Sequence, residues 1–589
     1  MVKLKNRSEI IMKIRVVGFC FIGIFLVIIA RGYNLQMLKS PELAKRIKSQ
    51  HKSTIELTPA RGTIYDRNGM ELAVSMEVES LYARPHLVEN KKAAAKKLSR
   101  VVDLSYIKVL KKLTSDKKFV WIKRQMEHAQ TEKIKPWKIP GLSFVKESKR
   151  YYPNNELAGQ LLGFVGTDAQ GLEGLEFQYN DVLRGTSRFL VVDKDGLGRH
   201  LFLENVDTAD YLQGHDLYLT IDKNIQYMVE KELQAAVKRS RAKAGTAIAL
   251  DPSTGEVLAL ATVPLFNPNR FSSSNSDIWR NRAVIDMYEP GSTFKTFLIA
   301  SALEEGLVKP HDIFFCENGS YRVANKTIHD VHPYGWLSVS KILKHSSNIG
   351  ASKISKHLGK TLFYRYIRKF GFGEETGIEF PTEAIGSVPL PYRCSDHTLR
   401  TISFGHGISV TALQMVTAYA AIANDGLLVK PTFIKTITNP RGEPVYTHDT
   451  FVRHRVVSEK TACTVKEMLK SVIRKNGTGT RGAIPGYTVA GKTGTSEKVD
   501  SGAEGYSRKK TIASFAGFVP ADNPRITILV TIDEPTGMTS GGQTAAPGFS
   551  GMARHILNFM DVPPKTPITT EQHTWKETKR MIPGTRTRG

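Results

Sequence analysis

The sequence predicts a multidomain α/β (α+β) chain. A single N-terminal transmembrane helix leads into an extended β-rich pedestal domain, followed by a larger domain whose antiparallel sheet is flanked by helices. Three observations carry this expectation. The chain has 589 residues, too many for one compact core. An uncharged run, Val16 to Ala30, follows a basic N-terminus. Beyond residue 215 the periodicity reads strand, helices and then a strand meander. The expected boundaries are 1–15 for a cytoplasmic tail, 16–36 for the anchor, 37–215 for a non-catalytic pedestal, 216–562 for the main domain and 563–589 for a disordered basic tail.

The anchor comes first. Lys3, Lys5, Arg7, Lys13 and Arg15 precede the apolar run, and Ile10 to Met12 with Tyr33 to Leu38 bring it close to spanning length. Flanking positive charge predicts a cytoplasmic N-terminus and an extracytoplasmic remainder. A cleaved signal peptide is the competing reading. Ile28 to Ala30 mimics a cleavage site only weakly, so an uncleaved anchor is preferred.

The net charge of +27 suits contact with an anionic polymer: nucleic acid, acidic lipid or an anionic cell wall. No zinc-finger, RNA-recognition or basic-heptad signature is present in the sequence, which argues against nucleic acid. The four cysteines, Cys20, Cys316, Cys394 and Cys463, lack metal-ligand spacing. An exported domain permits a disulfide such as Cys316–Cys394, and free thiols are equally compatible.

Leu43 to Lys52 reads as a helical basic linker. Asn68-Gly69 is a tight turn between strand-like flanks. Residues 90–135 are lysine-rich and predict two short surface helices with a strand near Phe119 to Ile122. Residues 140–215 are turn-rich, punctuated by Tyr151 to Pro153, Gly171 to Glu176 and Asp193 to Gly196, and hold no nucleophile with a base partner. Asp216 to Asp222 predicts a strand and Asn224 to Val237 a helix. Ala244 to Leu250 and Glu256 to Val263 predict a hairpin, the segment between Gly291 and Gly306 a buried helix, and Thr411 to Ala423 and Lys460 to Arg474 two more helices. Tyr487 to Thr495, Ile512 to Val519 and Ile526 to Ile532 read as successive strands.

Chemistry centres on Met287 to Gly306. Pro290-Gly291 breaks the chain before Ser292, and Lys295 follows three residues on, a spacing that puts both on one helix face. Apolar residues surround this helix, so it is expected to be buried. A desolvated lysine has a lowered pKa and can act as a base. Backbone N–H groups at the helix start can stabilise negative charge, completing an activated serine. Alone the pair proves nothing, because seven other Ser-x-x-Lys matches occur, from Ser49 to Ser507.

Two further elements single it out. In His345-Ser346-Ser347-Asn348, Ser346 can pass a proton between Lys295 and a leaving amine, and Asn348 can hold a substrate carbonyl. The bland alternative is that Ser346 caps the next helix. In Val489 to Thr495, Lys492-Thr493-Gly494 is a unique Lys-Thr-Gly. Its glycines let a substrate backbone lie along a strand edge. Lys492 can bind a carboxylate or support proton transfer, and Thr493 and Thr495 can donate hydroxyl hydrogen bonds. The amides of Ser292 and Thr495 are the candidate oxyanion hole. A phosphate-binding loop is the functional rival, and Gly486 to Thr493 has its Gly-x-x-x-x-Gly-Lys-Thr spacing, but no helix is read after it, as such a loop requires.

Ser-x-x-Lys, Ser-x-Asn and Lys-Thr-Gly in this order resemble the set of penicillin-binding proteins and serine β-lactamases. Arg61 to Gly69, Gly171 to Glu176, Glu289 to Lys295, Ser403 to Gly407 and Ala513 to Phe518 extend the likeness to class B penicillin-binding proteins, from the anchor to about residue 560. The resemblance implies a transpeptidase fold for the main domain and a dimerisation-type pedestal. It implies that Ser292 is acylated by a peptidoglycan stem peptide, with loss of the terminal D-alanine, and that a neighbouring stem's amine resolves the acyl-enzyme. It implies that β-lactams acylate the same serine and that no metal or other cofactor is needed. The septal cell-division type is the most similar, with the elongation type as alternative. No glycosyltransferase domain is read, so a multi-spanning membrane glycosyltransferase and other divisome proteins are the expected partners, at the inner membrane. A β-lactamase would be shorter and need a deacylation base. A catalytically inactive wall-synthesis scaffold would tolerate loss of Ser292 or Lys295.

Overall fold

The computed structural model describes residues 2–38, 52–57, 60–185, 188–193, 213–323, 326–499 and 506–565. The chain divides into two units. In the first, helix α1, Val2–Tyr33, runs on into a π-helical turn, Asn34–Leu38. Glu9–Met37 is apolar and long enough to cross a membrane, with a mean hydropathy of 2.4. Lys52–Leu57 pairs antiparallel with Arg188–Asp193. The expected helical linker before residue 52, the turn at 194–196 and the tail from 566 lie outside the described residues.

The second unit opens with β1, Ile64–Tyr65, and β2, Glu71–Ala83. Asp66 forms the turn between them, its Oδ1 accepting the N–H groups of Asn68 and Met70 at 2.8 Å each. Then follow α2 (Lys91–Ser99), α3 (Tyr106–Leu113), β3 (Val120–Met126), α4 (His128–Ile134) and β4 (Leu142–Tyr151). They close a small separate core around Leu81, Leu98, Val109 and Ile122. The two helices and the strand expected here are present, joined by α4.

Next come β5 (Asp216–Leu219), α5 (Lys223–Ser240), β6 (Ala244–Leu250) and β7 (Val257–Val263). The strand expected to reach Asp222 stops at Leu219. Asp222 instead caps α5, accepting the N–H groups of Asn224 and Ile225. Further on are α6 (Lys295–Glu304), α7 (Val339–His345), α8 (Asn348–Leu358), α9 (Ala412–Ala423), β8 (Ile434–Thr438), β9 (Pro444–Thr447) and α10 (Glu459–Ile473). The unit ends with β10 (Ala490–Val499), β11 (Tyr506–Val519), β12 (Ile526–Asp533) and α11 (Ala545–Phe559). Sequence reasoning missed α11, because Pro547, Gly548 and Gly551 disguise it. Pro547 sits in its first turn, where no intrahelical N–H is required.

Two sheets organise this unit. One has the order β9-β8-β5-β1-β2-β3, with β4 on the other side of β2. Its β1–β5 pairing is parallel, so strands from both sides of the boundary expected at 215/216 share one sheet. Beside it lies a buried ion triad. Glu176 takes Arg61 Nε at 2.5 Å and Arg150 Nε at 2.6 Å, which satisfies the carboxylate from both sides. The triad ties together the sequence motifs at Arg61 to Gly69 and Gly171 to Glu176.

The other sheet is antiparallel, in the order β10-β11-β12-β6-β7, and leaves β10 at an edge. Alternate side chains feed two cores, as a pleated strand requires. Ile528, Val530 and Ile532 of β12 pack with Val229, Leu233, Phe549 and Met552 of α5 and α11. Leu529, between them in sequence, joins Phe297, Leu298 and Tyr419 of α6 and α9. The four cysteines are free thiols, so the optional Cys316–Cys394 disulfide is not formed.

Candidate active site

Ser292 sits in a 3-10 turn, Gly291–Phe294, and Lys295 begins α6. The helix expected between Gly291 and Gly306 therefore opens as a 3-10 turn before it becomes α-helical, and a short strand, Met287–Tyr288, precedes it. The tighter turn has a chemical consequence: at three residues per turn, positions i and i+3 eclipse, which sets the lysine directly behind the serine. The helix ends as expected at Gly306, with φ +67° and the N–H of Leu307 on the carbonyl of Ala302.

Lys295 is fully buried. Its Nζ lies 2.9 Å from Ser292 Oγ and donates to Ser346 O at 2.6 Å and Asn348 Oδ1 at 2.7 Å. Ser346 Oγ is 3.2 Å away. From β10, the equally buried Lys492 donates to Ser346 Oγ at 2.9 Å and to Thr493 O at 2.9 Å. The Ser346 hydroxyl thus bridges two lysines. Burial pushes Lys295 down to about 7, opposed by the charge of Asp330. Burial, and then the charge of Lys295, pushes Lys492 well below its ordinary value.

Ser346 is not a helix cap of the kind the bland reading offered. It follows α7 in a left-handed conformation, φ +62°, and its neighbour Ser347 does the capping, accepting the N–H of Gly350 at 2.9 Å. That left-handed step releases the Ser346 hydroxyl toward the lysines. Asn348 is fixed by its own amide, donating Nδ2–H to His329 O at 2.9 Å and so presenting Oδ1 to Lys295.

The nucleophile turn is pressed against the edge strand. A Cβ on Gly291 would lie 2.7 Å from Thr495 O, and one on Gly494 2.8 Å from Pro290 O. This packing brings the backbones of Ser292 and Thr495 side by side. Thr493 Oγ1 donates to Thr478 Oγ1 at 2.9 Å, and Thr495 Oγ1 accepts the N–H of Gly541 at 3.2 Å.

All eight residues singled out by sequence therefore converge. Ser292, Ser346, Asn348, Thr493, Gly494 and Thr495 line a cavity of about 320 Å³, with Lys295 and Lys492 beneath it. Sequence reasoning missed other lining groups: Val331, His332, His345, His406, Thr478 and the Ser540–Gly542 turn. His406 lay within a quoted motif and was not assigned to the site. Burial, followed by the charge of Lys295, holds its imidazole down to about 4 and therefore neutral near pH 7. A second cavity, of about 350 Å³, lies at the end of the sheet, where Arg282, Asp286, Lys498 and Asp533 pair among themselves. No serine or cysteine lines it. Among the described residues no cluster of three or more His, Cys, Asp or Glu is placed to hold a metal ion.

Residues 245–557 match the family model of the penicillin binding protein transpeptidase domain, and residues 56–219 match that of the penicillin-binding protein dimerisation domain. The chain belongs to the penicillin-binding protein transpeptidases. This transpeptidase is 37% identical over 551 residues to the probable peptidoglycan D,D-transpeptidase PenA of Neisseria meningitidis, covering 93% of this chain and 92% of the relative. It is 33% identical over 563 residues to the peptidoglycan D,D-transpeptidase FtsI of Escherichia coli K12, covering 94% and 93%. The crystal structure of penicillin binding protein 3 from Mycobacterium tuberculosis, complexed with aztreonam, superposes with a TM-score of 0.67 at 30% identity, over 87% of this chain and 99% of the other. The enzyme acts on peptidoglycan and is a β-lactam target.

Proposed function

We propose that Ser292 is the acylated residue of peptidoglycan D,D-transpeptidation and that Lys295 is its base. The observation that carries this reading is the position of Lys295 Nζ, buried and 2.9 Å from Ser292 Oγ. As a neutral amine it has two N–H bonds, for Ser346 O and Asn348 Oδ1, and a lone pair left for the serine hydroxyl hydrogen. Ser292 Oγ then attacks the carbonyl of the penultimate D-alanine of a stem peptide. The backbone N–H groups of Ser292 and Thr495 bind the oxyanion. Lys492 and the Ser346 hydroxyl return a proton to the departing D-alanine amine. Thr493, Gly494 and Thr495 line the path along β10, where the open edge lets the stem's backbone lie beside the strand. Asn348 holds the stem's amide. An amine from a second stem attacks the ester and frees Ser292.

The remaining readings rest on the chain's likeness to FtsI and on α1. They are a septal role, a single-pass inner-membrane anchor with the catalytic domain outside the cytoplasm, and work beside a multi-spanning glycosyltransferase and other divisome proteins. The proposed division is 37–215 for the pedestal and 216–562 for the transpeptidase domain. The experiment is covalent labelling by a fluorescent penicillin. Ser292→Ala should remove the label, and a persisting label would reject the assignment.

A further inference from the structure

We propose that Asp330 is a positioning residue of the transpeptidation centre, holding the Ser346–Asn348 turn in place and supplying the negative charge that balances the buried lysines. Nothing in the sequence marks it. It stands 18 residues before Asn348, in the loop between the strand Lys326–His329 and α7.

The geometry is specific. Asp330 Oδ1 accepts the N–H of Asn348 at 2.5 Å and of Ile349 at 3.0 Å. Its Oδ2 accepts the hydroxyl of Ser347 at 2.5 Å. The adjacent carbonyl, His329 O, takes the side-chain amide of Asn348. One dipeptide therefore fixes both the backbone of Asn348 and the orientation of its amide. Lys295 depends on both, because it bonds the carbonyl of Ser346 on one side of that turn and Oδ1 of Asn348 on the other.

The charge matters as much as the bonds. The groups facing Lys295 are Ser292 from its own turn, Ser346 from the end of α7, Asn348 from the start of α8, Lys492 from β10, neutral His406 from the 403–407 loop, and Asp330. Around Asp330 itself stand Tyr334 and Cys316, the latter 3.5 Å from Ser347 Oγ. Burial, reinforced by the Asp330 charge, keeps both protonated. Asp330 thus sets a carboxylate against two buried amines that repel each other. Against the larger effect of burial, it favours the protonated form of Lys295 and so raises the pH at which that lysine becomes a base.

The test uses the full chain in detergent and the second-order rate of acylation by a fluorescent penicillin as a function of pH. Asp330→Asn keeps the shape: its Oδ1 still accepts from Asn348 and Ile349, and its Nδ2 can donate to Ser347 Oγ. The expected result is an acidic limb moved to lower pH with the plateau retained within a few-fold. Ser347→Ala keeps the charge and loses the bond to Asp330 together with the cap on the N–H of Gly350, so its plateau should fall with the limb in place. Asp330→Ala removes both charge and cap, and its plateau should fall roughly tenfold or more. An Asp330→Asn profile superimposable on that of the unaltered protein overturns the proposal, whatever happens to Asp330→Ala. The proposal rests on Lys295 being the base. Lys295→Ala tests that separately: if it acylates normally at any pH, the base assignment fails on its own, without reference to the Asp330 profiles.

Discussion

Ser292 and Lys295 show how much chemistry a three-residue spacing can carry. The pair was legible because the nucleophile and its base lie on one turn, and sequence distance there is spatial distance. Ser346, Asn348 and Lys492 were legible only as companions of that pair, since each motif is common by itself. Whether Ser346 relays a proton or caps the next helix was not decided by the motif. The left-handed backbone at Ser346 decides it: Ser347 caps, and Ser346 reaches the lysines. Asp330 left no signal and His406 was marked only as part of the Ser403 to Gly407 motif, because tertiary folding alone brings them to the site. At this scale the pH dependence follows from burial. The pKa of Lys295 lies at about 7, so the amine is charged and inert as a base below that pH and neutral above it. Penicillin acylation should therefore rise as pH climbs through about 7 and then level off. A stopped-flow rate that falls over that interval would contradict the assignment.

Among elements, the meeting of the 3-10 turn with the 403–407 loop is a close one. The N–H of Gly291 donates to Gly405 O at 3.1 Å, and that of Gly407 donates to Glu289 Oε1 at 2.8 Å. Behind the turn, the hydroxyl of Tyr419 on α9 donates to Thr293 O at 2.8 Å. Gly405 has φ +81°, and a Cβ there would fall 2.2 Å from Gly291 O. Gly405→Ala would cost about 1–2 kcal/mol from its backbone conformation alone. The clash would also push the turn away from Lys295. We expect a lower melting temperature and acylation slowed by orders of magnitude; a variant that acylates at the normal rate would show that the loop does not hold the turn. The regular elements were largely legible, because the strands Ala244 to Leu250 and Ile526 to Ile532 are short, mainly apolar runs with threonine as their one polar residue type, and α9 is apolar but for Gln414 and Thr417. The 3-10 turn and α11 were not. The first looks like any helix start, and the second is interrupted by residues that normally end helices.

For the whole molecule, the order of domains was legible from composition, whereas the way they interlock was not. The basic charge is also unevenly spread. Residues 85–141 hold 15 Lys and Arg against 5 Asp and Glu, a share far above that of the rest of the chain. That excess surrounds the small core of α2, α3 and β3, well apart in sequence from the catalytic motifs. The cellular role belongs to this scale. Depleting the protein should give filaments if it works at the septum, scored by microscopy of growing cells, and rounded cells would assign it to elongation instead.

The parallel pairing of β1 with β5 has a practical consequence. A fragment cut at residue 216, the natural choice for expressing the catalytic part alone, would strip β5 of its neighbour and leave a bare strand edge of unpaired amides and carbonyls. Such an edge invites other chains to add on, and the product would be prone to aggregate. Truncations for biochemistry or crystallisation should begin before Arg61, so that the sheet and the Arg61–Glu176–Arg150 triad remain whole.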